Sequence, residues 1–204
     1  MMDRKERDKQ LRKADILKAA EHVFSSKGYH EATIQDIAKE AQYGTGTVYI
    51  YFKDKNALYF SLLEEKVRSL AEKVLGNIKG IKDARSRLEA FIRESLSFFE
   101  QNQSFFHIYT MEKSSLQAIV SKKASESFAS MKYVTDHVEE LIKLAQKQGV
   151  VRKDYDPGEV ADVLTSVMGS IVLNWTKKGS KREGSLTDKA GFIFEIFLNG
   201  VGQN

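Results

Sequence analysis

Between Thr33 and Lys55 the chain reads TIQDIAKEAQYGTGTVYIYFKDK, two short apolar repeats separated by a glycine. Ile34, Ile37, Ala38 and Ala41 fall at i, i+3, i+4 and i+7, the one-sided spacing of an amphipathic helix. Thr33 stands just before this run with Asp36 three residues on, which predicts a capping box. Gln42, Tyr43 and Gly44 have the length of a tight helix–helix turn, and Val48 and Phe52 then mark the inner face of a second short helix. Any small helical hairpin shares this pattern, so the residues on its outer face have to decide its role. The spacing predicts a helix-turn-helix over about 33–52.

The outer face of the second helix is chemically unusual. At 100° per residue, turning Val48 and Phe52 inward leaves Gly46, Thr47, Tyr49, Ile50 and Lys53 outward. A merely solvated face would carry Glu, Lys and Gln. Small hydroxyls, a glycine and an aromatic suit a DNA groove: Gly46 permits close backbone approach, and Thr45 and Thr47 can bond phosphate or base edges. Tyr49 can cover a thymine methyl or bond phosphate, while Lys53 and Lys55 neutralise phosphates. Thr33 and the N–H groups at its helix start offer another phosphate site, and Tyr43 is expected to reach toward DNA.

These residues resemble the DNA-binding segment of TetR-family bacterial transcriptional regulators, whose pattern runs T-x-x-x-I-A-x-x-A-G-V-S-x-G-T-x-Y-x-Y-F-x-x-K. Thr33, Ile37, Ala38, Ala41, Gly46, Thr47, Tyr49, Tyr51, Phe52 and Lys55 sit at matching places. Gln42, Tyr43 and Gly44 depart, standing where the pattern has Gly, Val and Ser. Gly44 can still cap the recognition helix, but without a side-chain oxygen. The resemblance adds Tyr51 to the DNA-facing candidates.

Composition narrows the alternatives. With 204 residues the chain can bury a substantial core, and its one proline, Pro157, leaves long helices unbroken. No apolar run reaches the ~18 residues of a membrane span. The charged N-terminus has no apolar signal core, so a cytoplasmic protein without membrane association is expected. Without Cys there is neither disulfide nor thiol chemistry. The four His (22, 30, 107 and 137) lack metal-ligand spacing, Gly44-Thr45-Gly46 has no preceding strand, and G-x-S-x-G and HExxH are absent. No catalytic residue, metal or cofactor is expected, and the chain reads as a non-enzyme. The net charge of +4 leans towards an anionic partner. Only the first 13 residues are plainly basic; they suit an arm beside the duplex or a solubilising tail equally well.

The rest of the chain shows helical periodicity throughout, so the fold class is all-α: a three-helix head over 1–55 and a larger C-terminal helical bundle over 56–204. The first helix is expected from about Lys9 to Lys27, stopped by Gly28. Asp54 is positioned to cap a long helix running to Gly76–Gly80. Further helices follow over Leu88–Phe99, over a stretch ending at Gly149, and from Pro157 behind the N-cap Asp156. The last opens near Ser185 or Thr187 and is apolar nearly all round, so it needs cover on at least two sides, from a large monomer core or from a second copy. A homodimer interface is expected through Val160, Leu164, Val167, Ile171, Phe192, Phe194 and Phe197, and the resemblance implies the same pairing through the last two helices.

The resemblance further implies a cavity in the larger domain for an apolar small-molecule effector, fatty acyl or aromatic. Candidate lining residues are Phe91, Phe98, Phe99, Phe105, Met131 and Trp175, with His107, Tyr109, His137 and Asn174 to orient the ligand. The expected function is a ligand-responsive repressor binding a palindromic double-stranded operator as a homodimer. The alternative is a helical carrier or scaffold without DNA binding.

Overall fold

The computed structural model describes residues 3–104, 106, 129–178 and 184–202. These form eight helices and no strand: α1 (Arg4–Glu31), α2 (Ile34–Glu40), α3 (Thr45–Tyr51), α4 (Lys55–Ile78), α5 (Ala84–Gln101), α6 (Ala129–Lys147), α7 (Pro157–Lys177) and α8 (Lys189–Val201). They fall into two compact units that divide between Lys66 and Val67, inside α4.

The first unit is built on α1. Ile16, Leu17, Ala20, Val23 and Phe24 are buried at the spacing the sequence predicts, against Ile34, Ile37 and Ala38 of α2, Val48 and Phe52 of the α3 region, and Leu58, Tyr59 and Leu62 of α4. Phe24, Tyr29 and Tyr59 form a ring cluster with centroids 5.2–5.9 Å apart. Lys66 of α4 pairs with Glu21 of α1 at 2.8 Å. The helix starts at Arg4, earlier than expected, so the basic residues 4–13 are exposed turns of α1 and not an arm outside it. It breaks where the sequence places the stop. Gly28 has φ 77 and ψ 162, a region essentially closed to residues with a Cβ.

The second unit packs α5–α8 with the end of α4. Leu88, Ile92 and Leu96 of α5, Val138, Ile142 and Ala145 of α6, Leu164 of α7 and Ile193 of α8 are buried to 0% exposure. The predicted start of α7 is as drawn: the Asp156 carboxylate accepts from the N–H groups of Gly158 and Glu159, with Pro157 in the first turn. The turn before α8 is held from α5. Glu100 accepts from the hydroxyls of Ser185 and Thr187 and from the N–H groups of Leu186 and Thr187. Burial by itself would push the Glu100 carboxyl up; these donors outweigh it and hold it below its usual range.

Candidate nucleic-acid interface

The segment from Thr33 to Phe52 folds as two short helices because each end has a local stop. Thr33 Oγ1 accepts from the Asp36 N–H and the Asp36 carboxylate accepts from the Thr33 N–H, the predicted capping box. Asp36 also takes Lys27 Nζ at 2.7 Å, and the lysine with the Thr33 donors holds its carboxyl down at about 2. At the other end of α2, the N–H of Tyr43 reaches Ala38 O and that of Gln42 reaches Lys39 O. This is a Schellman closure, and its left-handed residue is Gln42 at φ 59. The family pattern has glycine at this position, where the backbone favours it, and glutamine strains the turn.

On α3, Val48 and Phe52 are buried while Tyr49 is 51% and Ile50 78% exposed. Gly46 and Lys53 are exposed, and Thr45, Thr47 and Tyr51 are half-buried. A Cβ at Gly46 would meet nothing within 4 Å, so no neighbour in the chain requires glycine there. The outward face of α3 therefore gathers Thr45, Gly46, Thr47, Tyr49 and Ile50, with Lys53 exposed just past the helix end.

Three candidates are otherwise engaged. Lys55 is the clearest correction: its Nζ donates to the carbonyls of Tyr29, His30 and Ala32 at 2.7, 3.0 and 2.8 Å and lies 4.6 Å from the Tyr29 ring centroid. An ammonium has three donors, and these acceptors use them all. The carbonyls lie around the broken C-terminal end of α1, where unpaired C=O groups attract a cation. Tyr43 turns its hydroxyl to Asp15 at 2.9 Å, and that carboxylate raises the phenol above its usual range. The Thr33 hydroxyl is spent on the capping box and also donates to Asp36, whose charge occupies the helix start expected to take phosphate.

In the larger unit the expected effector residues scatter. Phe91, Phe98 and Trp175 are buried core, and Phe99 stacks edge-on to Phe106 at 4.4 Å. Asn174 is exposed on α7 and does not enter the core. Phe105, His107, Tyr109 and the Met131 side chain lie outside the described residues. His137 is half-buried, with Nδ1 2.8 Å from Tyr133 O, and lines a cavity of about 550 Å³ between α4 and α6. Lys79 and Arg87, which also line it, were not legible as site residues, because nothing in their spacing marks them.

The expected interface residues also divide. Val160, Leu164, Phe194 and Phe197 are packed into this chain's own core, with the Arg85 guanidinium over the Phe194 ring at 5.2 Å. Val167 and Ile171 are half-buried. Phe192 is 56% exposed, and the sequence reading missed Ile196 at 51% and Val163 at 52%. Phe192 and Ile196 are one helical turn apart and form an apolar strip on α8.

Comparison with known proteins places these observations. Residues 16–62 match the family model for bacterial regulatory proteins of the tetR family, and residues 63–200 match the model for the C-terminal region of YsiA-like proteins. The fatty acid metabolism regulator protein of Bacillus subtilis is 22% identical over 186 residues, covering 91% of this chain and 93% of that one. Two solved structures share the fold: the fatty acid degradation regulator FadR from Bacillus halodurans, with TM-score 0.80 and 22% identity, covers 91% of this chain and 94% of its own. The regulator FadR from Bacillus subtilis in complex with stearoyl-CoA, with TM-score 0.79 and 20% identity, covers 92% and 98%. The chain is a DNA-binding regulator by this relationship, and it belongs to the TetR family of bacterial transcriptional regulators.

Proposed function

We propose that the protein represses transcription as a homodimer that grips a palindromic operator and lets go when it binds an acyl-type effector. The observation that carries this reading is the outward face of α3, where threonines, a glycine with open space around it and a half-exposed tyrosine replace the charges of an ordinary solvated helix. Thr45, Gly46, Thr47, Tyr49 and Tyr51 meet base edges and groove walls, and Lys53 neutralises phosphate. One such head reads only a few base pairs, so affinity comes from two heads related by a two-fold axis.

The apolar strip of Phe192 and Ile196 on α8, with Val163 on α7, supports pairing of two copies. The effector class is supported by the relatives, one a fatty acid metabolism regulator and one solved with stearoyl-CoA. The effector acts by binding the DNA-incompetent arrangement better than the competent one, since a ligand with equal affinity for both shifts nothing. In this reading it does so by displacing α4.

Selection of the preferred duplex from a random pool tests the core of this. An enriched inverted repeat, with half-sites about 10 base pairs or a multiple apart, is expected. Enrichment without inverted symmetry would remove the homodimer. No enrichment at all would favour a helical carrier that does not read DNA. Thr47→Ala or Tyr49→Ala should relax sequence preference, at about 1–3 kcal/mol per lost base contact.

A further inference from the structure

We propose that the groove between α4 and α6 is a binding site for an amphipathic anion, with Arg87 as its anion receptor. The groove encloses about 550 Å³, inside the range of roughly 300–1,000 Å³ typical of small-molecule sites. Its apolar wall comes from Leu75 and Ile78 of α4 and Leu141 and Leu144 of α6.

The charges around it are unequally satisfied. Glu140 is paired with Lys143 at 2.8 Å, and Glu72 faces Arg68 at 3.9 Å. Arg87 Nε is buried with no hydrogen-bond partner, and Lys79 lines the same groove. A guanidinium N–H out of water without an acceptor is costly, and a planar fork next to an empty volume matches a carboxylate or phosphate. Lys143 is shared between Glu139 and Glu140, so the groove's distinguishing group is the Arg87 guanidinium, set beside walls that suit hydrocarbon. His137, held against Tyr133 O, borders the same space and offers a polar contact.

This deepens the effector reading and rests on it for any link to DNA release; binding itself does not. The test uses the full-length protein with dodecanoate, dodecyl phosphate and dodecanol, each titrated calorimetrically below its micelle concentration. At least one anion should bind wild type about tenfold tighter than the alcohol, and Arg87→Gln should remove about that factor while leaving dodecanol unchanged. Binding of the carboxylate alone assigns a fatty-acid head, and of the phosphate alone a phosphoester head; either sustains the site.

Equal affinity for dodecanol, or an Arg87→Gln affinity within about twofold of wild type, overturns it. Absence of binding by both anions does the same. A diazirine-bearing dodecanoate needs no variant: label on peptides spanning 71–79 and 133–144 supports the groove, and label elsewhere refutes it. Operator affinity at saturating anion separates the two readings. Unchanged DNA binding alongside Arg87-dependent ligand binding removes the effector role and leaves the site standing.

Discussion

Replacing Lys55 by Met separates a structural clamp from a phosphate contact. Methionine keeps the length of the side chain and the contact with Tyr29 but removes the ammonium, leaving the carbonyls of Tyr29, His30 and Ala32 without their shared donor. The bonds to Tyr29 and Ala32 are part-buried and the one to His30 is exposed. Counting about 1 kcal/mol for each part-buried bond, and nothing for the exposed one that water can replace, gives about 2 kcal/mol. Loss of the cation over the Tyr29 ring adds about 0.5 kcal/mol. For a chain of this length the total of about 2.5 kcal/mol corresponds to a melting temperature lower by about 5–10 °C. Thermal melting by circular dichroism reads the first effect. Operator binding between low and moderate salt reads the second, because each phosphate contact contributes about 0.9 to the slope of log K against log salt. Lys55→Met should lower the melting temperature and leave the slope intact. Lys53→Ala, at an exposed position, should do the reverse. An unchanged melting temperature with a reduced slope for Lys55→Met would falsify the clamp and restore Lys55 to the DNA surface.

Gly46→Ala should leave the free protein as stable or more stable by about 0.5 kcal/mol, since alanine is the better helix former and the space is open, yet weaken operator binding; equal affinity would show that no close approach occurs there. Gln42→Gly should stabilise the protein by about 1 kcal/mol in urea denaturation by relieving the left-handed conformation at φ 59. Asp36 is held down at about 2 against an ordinary 3.8, so it favours the folded state fully above about pH 4 and loses that contribution as pH falls towards 2. Asp36→Asn should accordingly flatten the acid limb of the stability profile between about pH 4 and 2, measured by circular dichroism.

What could be read along the chain was whatever the backbone settles locally. The capping box at Thr33, the N-cap at Asp156, the stop at Gly28 and the inward pair Val48 and Phe52 depend on neighbours within one or two turns, and each stands where its spacing put it. The outward face of α3 was legible for the same reason, since 100° per residue leaves little choice once two residues are buried.

The tertiary structure decided where long side chains go and which of two apolar faces is covered. Lys55 satisfies carbonyls 23–26 residues away, a destination that no local pattern encodes. Phe192 and Phe194 are alike as sequence, but only packing of α8 against α5 buries the second and leaves the first exposed. Arg87 became a candidate solely because folding buried its Nε beside a cavity without supplying an acceptor. Periodicity determines the orientation of a residue about its own helix axis; burial, and with it the energetic meaning of a charge or a ring, depends on helices brought in from elsewhere in the chain.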